Sequence, residues 1–203
     1  LKVFINRAIE QEIIEKNPVR DVKVRPTEGK MQYLTREEIK KLEKLYEGLT
    51  IPAYKRVLQC FLFACYTGLR YSDIKELKYI HIHNNESIEK VMYKTDTIVT
   101  IPLSNRAKAL IESKPLPMMK VFRVYSNQYI DRQLKDIIKA AGINKNISFH
   151  CARHTFAVIT LEISGDIAAL QKLLGHKKIS TTMIYAKVVE TRKKEVIQLW
   201  NAI

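Results

Sequence analysis

The sequence predicts a mainly α protein carrying a small three-stranded antiparallel β-sheet. Apolar residues recur at helical spacing through most of the chain, as in Ile39, Leu42 and Leu45, or Ile130, Leu134, Ile137 and Ile138. Between Tyr79 and Pro102 the period shortens: Ile80 and Ile82 alternate with His81 and His83, and Ile98, Val99 and Ile101 follow a Lys94-Thr95-Asp96-Thr97 turn. Gly and Pro punctuate the boundaries, at Asn17-Pro18, Thr67-Gly68, Gly142 and Gly175. With 203 residues, 46% of them hydrophobic, the chain can build a real core.

In order, residues 1–16 form a helix with one buried face, built on Val3, Phe4, Ala8, Ile9 and Ile13 and stopped by Asn17-Pro18. Residues 17–33 are rich in Pro, Gly, Lys and Arg and read as an interdomain linker. Because the chain begins at Leu1, residues 1–16 are expected to end a preceding domain, and residues 34–203 to form the main one. Thr35 opens a helix with a capping box to Glu38. Residues 52–66 form a helix apolar nearly all round, ended by Gly68. Arg70 lies in the next turn, with Ser72 or Asp73 as the cap of a further helix. His81 and His83 share one face of a strand, and Lys94 stands at a hairpin tip. Helices over 104–113, 126–141, 150–164 and 166–174 follow. One helix then runs through Tyr185 and a separate one spans 188–203, with a Val189, Val196, Trp200 and Ile203 stripe. The Ser-Thr-Thr run before Tyr185 suits an exposed or mobile tyrosine better than a core one.

Thirty-five Lys and Arg against 21 Asp and Glu leave a net charge of +14. Such an excess repels itself and favours polyanions, nucleic acid first and an anionic membrane surface second. No apolar run is long enough to span a membrane. Cys60, Cys65 and Cys151 have no metal-like spacing and read as buried free thiols of a reducing compartment, so a cytoplasmic location is expected.

Four residues between Phe149 and Tyr185 suit attack on a phosphodiester: His150, Arg153, His176 and Tyr185. A phenol is a nucleophile once deprotonated, but its pKa near ~10 makes phenolate costly unless cations help. Arg70 and Arg153 are the natural clamps for phosphate oxygens. Guanidinium holds its protons too tightly to serve the leaving group, so Lys94 is the candidate acid. His150 and His154 stand one helical turn apart, as in zinc proteases, but Cys151 occupies the place of the required Glu. No Gly-rich phosphate loop is present, which argues against ATP or GTP use.

The set TGLRYSDI with Arg70, YKTDTIVTIPL with Lys94, FHCARHTFA with His150 and Arg153, LLGHKKISTTMIY with His176, and Tyr185 resembles the catalytic domain of tyrosine recombinases, the phage-integrase family. The resemblance runs from about Thr35 to the C-terminus and implies that family's catalytic-domain fold. It implies a site-specific DNA recombinase that cleaves and rejoins strands through a 3′-phosphotyrosine. Tyr185 would attack, Arg70 and Arg153 hold the non-bridging oxygens, and Lys94 protonate the 5′ oxygen. His150 would exchange the tyrosine proton, His176 donate to the phosphate, and Asp73 support Arg70. Implied too are no metal, no cofactor, double-stranded DNA as partner, a homotetramer on DNA that is monomeric without it, and accessory DNA-bending proteins. A bacterial, nucleoid-associated setting goes with these. Residues 1–16 would end the family's DNA-binding domain, and residues 188–203 would dock on a neighbouring protomer, with packing within one chain the alternative. Three departures stand out: Asp96 where the hairpin often has Gly, Ala152 for Leu, and Lys187 where His is frequent. The rivals are a type IB topoisomerase and a DNA-binding regulator without catalysis.

Overall fold

The computed structural model describes residues 2–18, 31–112 and 116–200; in the last helix the side chains of residues 195, 196 and 198–200 lie outside that description. Most of the expected linker and the Val196, Trp200 and Ile203 part of the C-terminal stripe therefore fall outside it. The chain divides into two compact units, Leu1–Lys30 and Met31–Ile203.

In the first unit, helix α1 spans Lys2–Glu10, shorter than the expected 1–16. It ends in a Schellman wrap: Ile13 N–H bonds Ala8 O and Glu12 N–H bonds Ile9 O, with Glu12 at φ 56°. Glu rarely takes this left-handed place, so the sequence carries no stop signal there. The expected buried face is not formed within the described residues, where Val3, Phe4 and Ile13 are exposed.

The second unit is helical around α3 (Pro52–Thr67), whose Leu58, Phe61, Leu62, Phe63 and Ala64 are fully buried. Before it, α2 (Arg36–Gly48) carries the capping box as expected: Thr35 N–H donates to Glu38 Oε2 and Glu38 N–H to Thr35 Oγ1. After α3 the chain turns at Gly68 (φ 69°) into the short α4 (Tyr71–Lys75). The N-cap of α4 is Arg70, not Ser72 or Asp73.

Next comes a 3₁₀ turn, Tyr79–His81, where a strand was expected to begin. His81 Nδ1 accepts from Lys78 N–H and closes that turn, so His81 and His83 do not share a strand face. Strands β1 (Ile82–His83), β2 (Ser87–Val91) and β3 (Ile98–Pro102) form one antiparallel sheet in the order β1-β2-β3. Val91 pairs with Ile98, so the β2–β3 turn holds Lys94, as expected. Asp96 takes φ 52° there, a conformation glycine adopts without strain.

Helix α5 (Asn105–Lys108) stops early because its bonds tighten to the i→i−3 pattern at Leu110 and Ile111. Helices α6 (Asn127–Ala140), α7 (Cys151–Ser164) and α8 (Ile167–Leu174) stand close to expectation. The last helix differs: α9 is continuous over Ser180–Trp200. No Gly or Pro lies in that span, so nothing interrupts it after Tyr185. Val189 is buried with Ala157, Val158, Leu161 and Leu170, and Arg192 pairs with Glu162 at 2.6 Å. The part of α9 through Arg192 thus packs on its own chain. Cys60, Cys65 and Cys151 are free and buried.

Candidate active site

Arg153 is the buried centre of the site, 2% exposed on the first turn of α7. Its Nη1 donates to Gly68 O at 2.7 Å and its Nη2 to Leu174 O at 2.6 Å. Those carbonyls end α3 and α8, where the helix dipoles place partial negative charge. Burial first, then Arg70, lowers the Arg153 pKa to about 10, so it remains a cation at neutral pH. Glycine is required at both helix ends. A Cβ on Gly68 would lie 2.5 Å from Phe156 Cδ1, and one on Gly175 would lie 2.8 Å from Val99 Cγ1.

Arg70 is set by its backbone. Its N–H donates to Asp73 Oδ2 at 3.3 Å, while Asp73 Oδ1 accepts from Tyr93 N–H at 2.9 Å. Fully buried Asp73 thereby ties the Arg70 turn to the hairpin next to Lys94. Arg70 Nη1 is buried with no hydrogen-bond partner. A buried guanidinium N–H without an acceptor is costly, which suits a place where an anion is to bind. Beside it lies a cavity of about 480 Å³ whose lining includes Arg70, Ser72, Ser148, His150 and Arg153.

His176 follows the Gly175 turn. Its Nε2 lies 3.1 Å from Arg153 Nη2, and its Nδ1 lies 2.9 Å from Thr182 Oγ1. Arginine has no acceptor, so Nε2 must accept and the Nδ1 proton goes to Thr182. Gln171 Nε2 donates to His176 O at 2.9 Å and holds the turn. Burial, then Arg153 and Arg70, lowers the His176 pKa to about 4.

Tyr185 is 2% exposed, contrary to the expectation of an exposed phenol. The helix turns it inward with Thr182, one turn earlier, while Ser180 and Thr181 stay exposed. Its Oη lies 3.1 Å from His154 Nδ1. Burial raises its pKa, and Arg153 and then Arg70 act against that rise. His154 itself is lowered to about 4 by burial, then by His150 and Arg153. His150 meets His154 edge-to-face, with ring centroids 4.6 Å apart, and is lowered by burial, Arg153, Arg70 and Lys94.

The fold therefore gathers Arg70, His150 and Arg153 on one cavity, with His176 in contact with Arg153. Tyr185 lies outside the cavity lining but within the field of both arginines. Lys94 is exposed on its turn, its charge felt at His150. Two neighbours escaped sequence reasoning, His154 and Thr182. The repeated His of HCARH is visible in the sequence, but its spacing alone presents only a metal pair. Among the described residues no three His, Cys, Asp or Glu side chains converge as a metal site.

Comparison with known proteins gives the same direction. The chain is 34% identical over 151 residues to the tyrosine recombinase XerD of Listeria monocytogenes serotype 4b (strain F2365), covering 66% of this chain and 51% of that protein. It is 26% identical over 218 residues to XerD of Oceanobacillus iheyensis, covering 99% of this chain and 73% of the relative. The chain thus spans about half the length of the first of these relatives. Among solved structures, XerH recombinase bound to difH in a pre-cleavage complex superposes with a TM-score of 0.66 at 21% identity, over 98% of this chain and 64% of that one. A lambda integrase (75-356) dimer on a COC′ core site does so with a TM-score of 0.66 at 21% identity, over 89% and 68%. These likenesses establish the fold as that of tyrosine recombinase catalytic domains. The phage integrase family model matches residues 32–192, most of the chain, and the chain belongs to that family.

Proposed function

We propose that this chain is the catalytic part of a site-specific DNA recombinase that breaks and rejoins strands through a tyrosine–phosphate bond. The observation that carries the reading is the orphaned Arg70 Nη1, buried beside Arg153 on one cavity. Two guanidinium groups held that close repel each other unless an anion comes between them. A DNA phosphodiester is such an anion, and the net charge of +14 favours a polyanion. Relatives named as recombinases, and DNA-bound structures of the same fold, support the same partner.

In this reading Arg70 and Arg153 hold the non-bridging oxygens and stabilise charge at phosphorus. Tyr185 Oη attacks, and Lys94 gives its proton to the leaving 5′ oxygen. Asp73 keeps the Lys94 hairpin in register with Arg70, and His176 braces Arg153. The active form is a homotetramer on double-stranded DNA, with residues 1–16 ending a separate DNA-binding domain. The exposed Val3, Phe4 and Ile13 suit packing in such a domain.

The test is covalent trapping on a randomised pool of duplexes, each nicked a few bases 3′ of its centre. Wild-type chain should give a protein–DNA band on a denaturing gel, and Tyr185→Phe none. Wild-type chain without a covalent band would refute the reading and leave a DNA-binding regulator. Relaxation of supercoiled DNA lacking any selected site would favour the topoisomerase.

A further inference from the structure

We propose that Asp131, on α6, is the positioning residue for His150. Its carboxylate holds the Phe149 N–H and so fixes where the imidazole stands beside the phosphate clamp. The inference rests on the recombinase reading above, in which His150 exchanges the proton of the attacking phenol, and adds the residue that keeps that imidazole in place.

The key contact joins two helices. Asp131 Oδ1 accepts from Phe149 N–H at 2.7 Å, and Asn127 Nδ2 donates to Asp131 Oδ2 at 3.3 Å. Phe149 lies in the turn that opens α7, immediately before His150. A helix start leaves its first N–H groups without partners in the helix, and Asp131 takes one of them from outside. A charged acceptor makes that bond roughly twice as strong as a neutral one, and negative charge suits this end of a helix. The same opening turn carries the site: Ala152 N–H bonds Phe149 O, and Arg153 N–H bonds His150 O. Asp131 therefore holds the origin of the segment on which His150 and Arg153 stand.

Phe149 is fixed on its other side as well. Its ring is buried and meets Phe61 and Tyr71 edge-on, with centroids 6.1 and 5.8 Å apart. Tyr71 follows Arg70, and its Oη donates to Tyr125 O at 2.9 Å. Phe149 thus pins the His150 turn to the Arg70 turn, with its ring against one wall and its backbone held by Asp131.

The setting of the carboxylate points the same way. Asp131 lines the cavity shared by Arg70, His150 and Arg153. A negative charge there opposes a bound phosphodiester. The firmer hold on the backbone beside His150 is what offsets that repulsion.

The experiment is a double-mutant cycle between positions 131 and 150, read as the single-turnover rate of adduct formation on nicked duplexes recovered from the randomised pool. Asp131→Ala frees the Phe149 N–H and should slow adduct formation by about 10-fold, because small misplacements of a reacting group are costly. Asp131→Asn keeps an acceptor for that N–H and should stay within about threefold of wild type. Affinity for the duplex should fall in neither variant, since the loss lies in the chemical step. In a His150→Ala background, Asp131→Ala should slow the reaction by less than about twofold more, because the group it positions is gone. Asp131→Ser, too short to reach the Phe149 N–H, is the second variant should Ala fail to fold, which thermal unfolding monitors. Adduct formation by a folded Ala or Ser variant at the wild-type rate would overturn the proposal. Equal slowing in both backgrounds would overturn it too, by making Asp131 a residue of the fold alone. A wild-type rate for His150→Ala would do the same, by leaving Asp131 nothing to position. Failure of the recombinase reading looks different: wild-type chain itself would form no adduct.

Discussion

Arg153 Nη2 stands 3.1 Å from His176 Nε2 while the same nitrogen donates to Leu174 O at 2.6 Å. One guanidinium arm thus joins the end of α8 to the turn that follows it. The other arm reaches Gly68 O at the end of α3. Arg153 cross-links three segments distant in sequence as well as facing the cavity, so its loss would disturb fold and chemistry together. Thr182 offers a cleaner probe of the same network.

Thr182 is fully buried and accepts the Nδ1 proton of His176 at 2.9 Å. Thr182→Val keeps the shape and removes the acceptor, leaving a buried N–H unpaired. The expected cost is about 1–3 kcal/mol, read as a lower urea midpoint at unchanged slope. Thr182→Ser should recover most of it. Cleavage should fall in the Val variant as well, because the imidazole bracing Arg153 loses its anchor.

Asp73 gives a second prediction. One carboxylate accepts from Arg70 N–H and Tyr93 N–H. Asn has a single carbonyl oxygen, so Asp73→Asn must set its NH₂ against one of those donors. The Lys94 hairpin should loosen from the Arg70 turn, with a stability loss of about 1–3 kcal/mol. Amide hydrogen exchange checks this directly: the Tyr93 N–H should lose protection, while amides inside α3 change only by the global amount. An unchanged Tyr93 amide would mean that the hairpin is held by the sheet alone.

What was legible in the sequence was local. Thr35 caps its helix through Glu38, three residues on, and Gly68, Gly142 and Gly175 end theirs through their own φ. Arg70, Lys94, His150, Arg153, His176 and Tyr185 could be picked out because each sits in a short motif. Which of them touch could not. Tyr185 meets His154 across 31 residues, and Arg153 meets Gly68 across 85. The inward turn of Tyr185 depends on α9 packing on α7 through Val189, which a polar Ser-Thr-Thr run does not announce. The stop at Glu12 was hidden for another reason: a left-handed Glu has no signature in sequence.

The histidines predict a pH dependence of stability. His154 and His176 are each lowered to about 4 by burial first, and His150 moves the same way. An unfolded histidine titrates near ~6.5. As pH falls below that value the unfolded chain binds protons that the folded chain refuses. Stability is therefore full above about 6.5 and declines as pH falls toward 4. Thermal midpoints should drop between pH 7 and pH 5, before carboxylates dominate. His176→Asn should make that decline shallower, since it removes one of the protons taken up on unfolding. A flat midpoint over the window would mean these rings are not held neutral by the fold.

The positive charge predicts how binding responds to salt. Lys177 and Lys178 are exposed immediately after His176, and Arg132, Lys135 and Lys139 are exposed on α6. If ~6 phosphates are neutralised, the log–log slope of affinity against salt should be about −5, because each contact releases condensed counterions. Lys177→Ala and Lys178→Ala should each make that slope shallower by about 1 and weaken binding nearly equally on any sequence. Fluorescence anisotropy of a labelled duplex, titrated between about 50 and 200 mM salt, measures both quantities. A slope near zero would assign the charge to something other than a phosphate backbone. An unchanged slope in both variants would move the contacts elsewhere on the surface, with the α6 cations the next to substitute.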